Sequence, residues 1–144
     1  IWESYTKISV VRNPFDYAVS RYFWEEARRS RNSDLPPLPS FGDLIIEQPE
    51  LLLENRRITH INGECAADVM IRYEHFDEDL TNLSAQLDLP GNLAEDLTGI
   101  SAKTTSRPQN TSPQQMFANE PDCRRLIEII CAEDIRTYGY QAPN

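Results

Sequence analysis

The feature that most constrains this chain is the junction at Val11–Pro14. A short β-rich run, Lys7-Ile8-Ser9-Val10-Val11, is followed after Arg12 by Asn13-Pro14. Asparagine is a favoured helix N-cap, and proline at the first helical position is preorganised for a helix. Apolar residues then recur at Phe15, Ala18, Val19, Tyr22, Phe23 and Ala27, the stripe of an amphipathic helix. Arg28, Arg29 and Arg31 close it, where cations complement the helix dipole. A strand that runs straight into a helix signals an α/β fold with a mainly parallel sheet.

The rest of the chain follows the same grammar. Residues 32–40 read as a loop. Ser40 is placed to cap a short helix through about Glu47, and Pro49 to Asn55 forms another. Asp68 to Tyr73 is a second strand. Phe76, Leu80, Leu83 and Leu87 then space out an amphipathic helix ending near Leu89-Pro90-Gly91. Residues 98–118 form a long polar stretch with Pro108 and Pro113, of the kind that has a function or stays disordered. Asn119-Glu120-Pro121 starts one last helix, striped by Cys123, Ile127, Ile130, Cys131, Ile135 and Tyr138 and ended by Gly139.

Two convincing strands do not make a stable parallel sheet. The chain starts at Ile1 rather than at a methionine, and its methionines are Met70 and Met116. We therefore expect residues 1–144 to be a single domain that is the downstream part of a larger one, with a sheet incomplete at its N-terminus. Association, including as a homo-oligomer, is another way to cover the open edges.

Composition narrows the function. Fourteen basic against twenty-three acidic residues give a net charge of −9, which argues against nucleic-acid binding. Residues 1–72 carry nine basic and eleven acidic residues, while residues 73–144 carry five and twelve, so an anion site belongs in the first half. No apolar run reaches the length of a membrane span. Cys65, Cys123 and Cys131 form no CxxC pair. Cys123 and Cys131 lie roughly 12 Å apart along a helix and cannot bridge there. They read as buried free thiols of a reducing, cytoplasmic compartment, with no ligand spacing for a metal.

The chemistry concentrates at the strand-to-helix junction. Ligands of open α/β sheets bind beyond the C-terminal ends of the strands, where a helix N-terminus favours anions. Arg12 adds a charged fork of donors, and Ser20 a hydroxyl farther along the helix. From the residues alone two readings stand. Arg12 and Ser20 hold a phosphate, or Arg12 pairs with a nearby carboxylate and Ser20 is merely tolerated.

Arg12-Asn13-Pro14 followed by Ser20-Arg21-Tyr22 resembles the 3′-phosphate-binding motif of sulfotransferases that use 3′-phosphoadenosine 5′-phosphosulfate (PAPS), the carbohydrate-type branch especially. Ile71-Arg72-Tyr73-Glu74-His75-Phe76 is similar to that family's later strand and helix. Ile127-Glu128-Ile129-Ile130-Cys131-Ala132-Glu133-Asp134-Ile135 through Tyr138-Gly139-Tyr140 is similar to its closing helix. The resemblance runs in order from about Lys7 to Tyr140. It implies a three-layer fold like that of P-loop-containing nucleotide hydrolases. It implies transfer of a sulfuryl group from PAPS to a hydroxyl or amine of an acceptor, a small molecule or carbohydrate, without a metal. Arg12 and Ser20 match the residues that grip the 3′-phosphate. Lys103 and Arg107 stand where a late basic loop closes over the cofactor in that family, or else belong to a solvated loop.

The chain also departs from the pattern. The family often has arginine where Tyr17 stands. Its loop for the 5′-phosphosulfate, and usually its catalytic base, lie upstream of the arginine motif; no Gly-x-x-x-x-Gly-Lys-Ser/Thr occurs in these residues. No catalytic residue is assigned. A non-catalytic nucleotide-binding or interaction domain, and a P-loop-type small-molecule kinase, remain as alternatives.

The other candidates have plainer readings. His75 suits a cap or the surface, and His60 has no visible partner. Arg72 and Glu74 would share a strand face and serve a structural ion pair or a sheet-to-helix bond. Trp2 and Trp24 suit a core or an interface. Asp77, Glu78 and Asp79 suit a helix start and need no metal.

Overall fold

The computed structural model describes residues 2–32, 34–100 and 107–144. The chain is α/β, mostly helical, with a small parallel sheet. In order, its elements are β1 (Ile8–Val11), α1 (Pro14–Ser30), α2 (Phe41–Glu47), α3 (Glu54–Thr59), β2 (His60–Ile61), β3 (Glu64–Cys65), β4 (Val69–Arg72), α4 (Phe76–Gln86), α5 (Leu93–Asp96), α6 (Pro113–Phe117), α7 (Pro121–Ile130) and α8 (Ala132–Tyr138). Single 3-10 turns occupy Trp2–Ser4, Pro49–Leu53 and Tyr73–His75. The elements fall into two compact units: residues 1–12 with 55–102, and residues 13–54 with 103–144.

The first unit is built on β1 and β4, paired in parallel from Ile8↔Val69 to Val11↔Arg72. Lys7 and Asp68 fasten the start of the ladder. The Asp68 carboxylate accepts from the Lys7 backbone N–H at 2.8 Å and meets its ammonium at 2.7 Å. The amides of Asp68 and Val69 both donate to the Lys7 carbonyl. One sheet face is covered by α4, where Ile71, Leu80 and Leu83 form a small core flanked by Phe76, Leu87 and Leu93. Ile8 and Val10 stay 45% and 39% exposed.

Three details of this unit differ from the sequence expectation. α4 ends at Gln86 rather than near Gly91, because Asp88 takes the left-handed conformation (φ 50°) and Leu89 N–H closes onto the Ser84 carbonyl. The buried Ser84 hydroxyl then donates to the Leu80 carbonyl and accepts from Leu93 N–H, tying α5 to α4. A hairpin, β2–β3, turns at Asn62-Gly63, both with positive φ, the signature of a tight primed turn.

The second unit has the larger core. Phe15, Ala18, Val19 and Phe23 of α1 pack with Phe41 and Ile45 of α2, Phe117 of α6, and Cys123, Ile127 and Cys131. The rings meet edge to face: Phe15–Phe117 at 5.6 Å, Phe41–Phe117 at 4.9 Å and Tyr22–Phe41 at 5.6 Å between centroids. Helix α6 lies inside the stretch expected to be a polar loop. Ser112 and Gln115 form a reciprocal capping box that starts it. The expected single last helix is divided. Buried Cys131 leaves helical ψ (19°) while its N–H still donates to Ile127 and its carbonyl still accepts from Ile135. Gly139, with φ 68°, ends α8 as expected.

Candidate functional site

In the first unit the parallel register brings β1 and β4 to a common C-terminal edge. Arg12 and Tyr73 are the next residues of the two strands. The Arg12 guanidinium carbon lies 4.3 Å from the Tyr73 ring centroid, in cation–π stacking range. Arg12 is half-buried. Stacking engages the faces of a guanidinium, whereas its N–H donors lie in its plane.

The neighbouring Arg72 is committed elsewhere. Asp79 accepts from its backbone N–H at 2.7 Å, from Nε at 3.0 Å and from Nη2 at 2.6 Å. Those bonds, the side-chain ones foremost, hold the Asp79 carboxyl below the usual carboxylate range. The Arg72–Asp79 contact is a sheet-to-helix ion pair, one of the two structural roles expected here. β4 ends at Arg72, and Glu74 lies in the 3-10 turn Tyr73–His75 beyond it.

In the second unit the start of α1 is built as its sequence implies. The Asn13 side chain accepts from Phe15 N–H at 3.0 Å, and Pro14 occupies the first turn. Ser20 sits half-buried on this helix. Its hydroxyl makes no hydrogen bond among the described residues. Ser30, Thr59, Ser84 and Thr98, by contrast, donate to a carbonyl one turn back.

Arg107 is well ordered by its partners. Its Nη1 meets the Asp16 carboxylate in the first turn of α1 at 2.6 Å, and its Nε and Nη2 donate to the Thr111 carbonyl at 3.0 and 2.7 Å. Lys103, the other candidate of the late loop, lies outside the described residues.

Sequence reasoning missed a polar hub on α1. Glu25 is buried, and three arginines converge on it: Arg21 at 2.9 Å, Arg28 at 2.7 Å and Arg29 at 3.8 Å. Arg21 also reaches Glu54 at 3.1 Å, whose other oxygen accepts from the Tyr17 hydroxyl at 3.0 Å. Arg29 donates to the carbonyls of Pro36 and Pro37. The indole of Trp24 lies between Arg21 and Arg28. The spacing of 21, 25, 28 and 29 was visible as one helix face. Tyr17, where the resembling family often has arginine, serves this hub through Glu54.

The remaining candidates have structural partners or open surroundings. His60 shares a hydrogen bond of 2.8 Å with Thr59 Oγ1, so the expectation that it lacks a partner is corrected. His75 lies on the surface 3.1 Å from Glu78. Trp2 is 61% exposed, with the Lys7 ammonium over its ring, rather than in a core. Cys65 is exposed rather than buried, while Cys123 and Cys131 are buried, and all three are free. Burial, with the charge of Glu120 adding to it, pushes the Cys123 thiol up to about 12. Among the described residues no His, Cys, Asp and Glu cluster could hold a metal, and no helix is long and apolar enough to cross a membrane.

Comparison with protein-family models, curated proteins and solved structures gives no match to the chain.

Proposed function

We propose that the chain is a sulfotransferase domain of the PAPS-dependent, carbohydrate-type kind, on a fold like that of P-loop-containing nucleotide hydrolases. The observation that carries the reading is the β1–α1 junction. A parallel strand ends in a tyrosine-stacked Arg12, and the capped helix that follows at once bears Ser20, whose hydroxyl has no internal partner among the described residues. A guanidinium fork and a free hydroxyl are donors suited to a phosphate dianion.

In this reading Arg12 and Ser20 hold the 3′-phosphate of PAPS, and Arg107, fixed by Asp16, supplies positive charge from the late loop. PAPS supplies the sulfuryl group, which passes to an attacking hydroxyl or amine of the acceptor, a carbohydrate or small molecule. The residues named here bind and orient. As in phosphoryl transfer, positioning and charge stabilisation do most of the work. The group that takes the acceptor's proton is not assigned to this chain. A cytoplasmic setting and association with a second copy belong to the same proposal.

A non-catalytic nucleotide-binding domain is the second reading. Both readings require a site that selects the 3′-phosphate, whereas a small-molecule kinase does not. Adenosine 3′,5′-bisphosphate should raise the Tm more than ADP does at equal concentration, because a ligand bound only to the folded state stabilises it by mass action. Arg12→Ala should abolish that preference and Ser20→Ala should weaken it. Equal stabilisation by ADP, or a preference unchanged in Arg12→Ala, would refute the assignment. Sulfuryl transfer from PAPS by the full-length protein separates the enzyme from the binding domain.

A further inference from the structure

The second unit contains a cleft of about 660 Å³ that the proposed function does not use. Its walls come from α7, the end of α6 and the tail after α8. Pro121, Arg124, Arg125 and Glu128 line it from α7, with Phe117 and Pro143 facing from the other segments. Positions 121, 124, 125 and 128 follow the spacing of one helix face. Cys123 and Ile127, on the opposite face, are fully buried and fix the rotation of the helix, so both guanidinium groups border the cleft.

The charges are not equivalent. Arg124 Nε donates to Glu128 at 3.2 Å, and that pair is internally balanced. Arg125 is exposed and makes no hydrogen bond or ion pair among the described residues. Several arginines of this acidic chain are matched with carboxylates, as at Arg72–Asp79, Arg107–Asp16 and Arg21–Glu25, while Arg125 is one of those that are not and the one that borders this cleft. The lining side chains thus carry one uncompensated positive charge beside the rings of Pro121 and Pro143 and the edge of Phe117. A volume of this order is within the range of small-molecule pockets, which combine apolar walls with a few polar anchors.

We propose that this cleft binds a small organic monoanion, a carboxylate on a flat apolar body. Arg125 takes the carboxylate and the proline rings take the body. One guanidinium neutralises a monoanion, whereas a dianion such as phosphate would keep a second charge unpaired against the apolar walls, at a desolvation cost. The apolar walls add affinity that a bare ion does not receive.

Naphthoate, neutral naphthalenemethanol and inorganic phosphate are the probes, titrated into the full-length protein and followed by amide NMR. Naphthoate should shift signals of Arg124, Arg125, Glu128 and Ala118, which also lines the cleft, and leave those of Ile71 and Leu80 in place. Arg125→Ala should weaken naphthoate at least about tenfold, the scale of losing one charge-assisted contact, with an unchanged Tm. Arg124→Ala should weaken it less. Naphthalenemethanol binding as tightly as naphthoate would overturn the role of Arg125. Phosphate shifting the same signals with equal affinity would overturn selection for an apolar monoanion. Naphthoate affinity unchanged in Arg125→Ala, or naphthoate leaving the cleft signals unmoved, would overturn the site itself.

Discussion

The two units of this chain are held together by different physics. The second unit is packed: four helices contribute to one core, and edge-to-face rings connect α1, α2 and α6. The first unit has a small core under α4, and its parallel ladder is fastened by charge: Lys7–Asp68 at the start and Arg72–Asp79 at the end. Asp68 and Asp79, two carboxyls of the first unit, are held below the usual range by these partners. Tyr22, whose hydroxyl burial foremost and Glu26 in addition push upward, belongs to the second. The first unit therefore leans on ion pairs around a small core, whereas the second adds its own ion pairs, Glu25 with Arg21 and Arg28 and Asp16 with Arg107, to a dense apolar core.

The largest expected effect comes from the packed core. Phe15→Ala removes a ring that is 1% exposed and stacked on Phe117, and should cost about 3–5 kcal/mol in denaturant unfolding. Leu83→Ala in the first unit should cost about 2–3 kcal/mol, the low end for a leucine, because few buried groups surround it. Equal losses at the two positions would break the contrast between the units.

Titration should divide them next. A carboxyl whose pKa is lowered on folding contributes stability that is present above its unfolded value, near 4, and is lost as pH falls through the folded value. Acid should therefore weaken the β1–β4 ladder as Asp68 and Asp79 are protonated, read residue by residue from amide exchange. A phenol raised on folding stabilises in the opposite sense. Its contribution is complete below its unfolded value, near 10, and is lost as pH rises through the folded one. Alkali should therefore weaken the second unit. Asp79→Asn should cost about 1–2 kcal/mol at neutral pH, held to that range because Arg72 is partly exposed, and should shrink the acid sensitivity of the first unit. Protection of β1 and β4 that is unchanged in acid would contradict the role given to Asp68 and Asp79.

How legible these units were in the sequence follows from how local their causes are. The start of α1 at Asn13-Pro14, the Ser40 cap of α2 and the strand Val69–Arg72 are written in adjacent residues, and the structure has them where the pattern puts them. The β2–β3 hairpin was not read, because two-residue strands have no period to detect; Asn62-Gly63 was its one signal. Helix α6 was hidden in a polar stretch, although Ser112 and Gln115 spell a capping box. At the candidate site, the strand end and capped helix that carry Arg12 and Ser20 were legible from the local pattern, whereas Arg107 on Asp16 joins residues 91 positions apart. Nothing local announces such a contact. The Glu25 hub had visible helical spacing, but burial of a carboxylate is decided by what packs over it.

The smallest expected effect tests how firmly the second unit is packed at its edge. Gly42 of α2 lies against the carboxylate of Glu120, and a Cβ at this position would collide with it. The colliding atoms are the far end of a flexible side chain, so Glu120 can swing aside. Alanine also gains about 1 kcal/mol of helix propensity over glycine. Gly42→Ala should accordingly change stability by less than about 0.5 kcal/mol in either direction, as these two contributions offset each other. The Cys123 thiol should stay unreactive in this variant, because burial is the main reason that it is raised and the Glu120 charge is the lesser one. Cys65 provides the internal control, being exposed and open to a thiol reagent in every variant. A loss well above 1 kcal/mol would show that Glu120 is clamped over α2. Rapid labelling of Cys123 would show that the packing beneath it opens, and that the contrast with the first unit is smaller than the buried core implies.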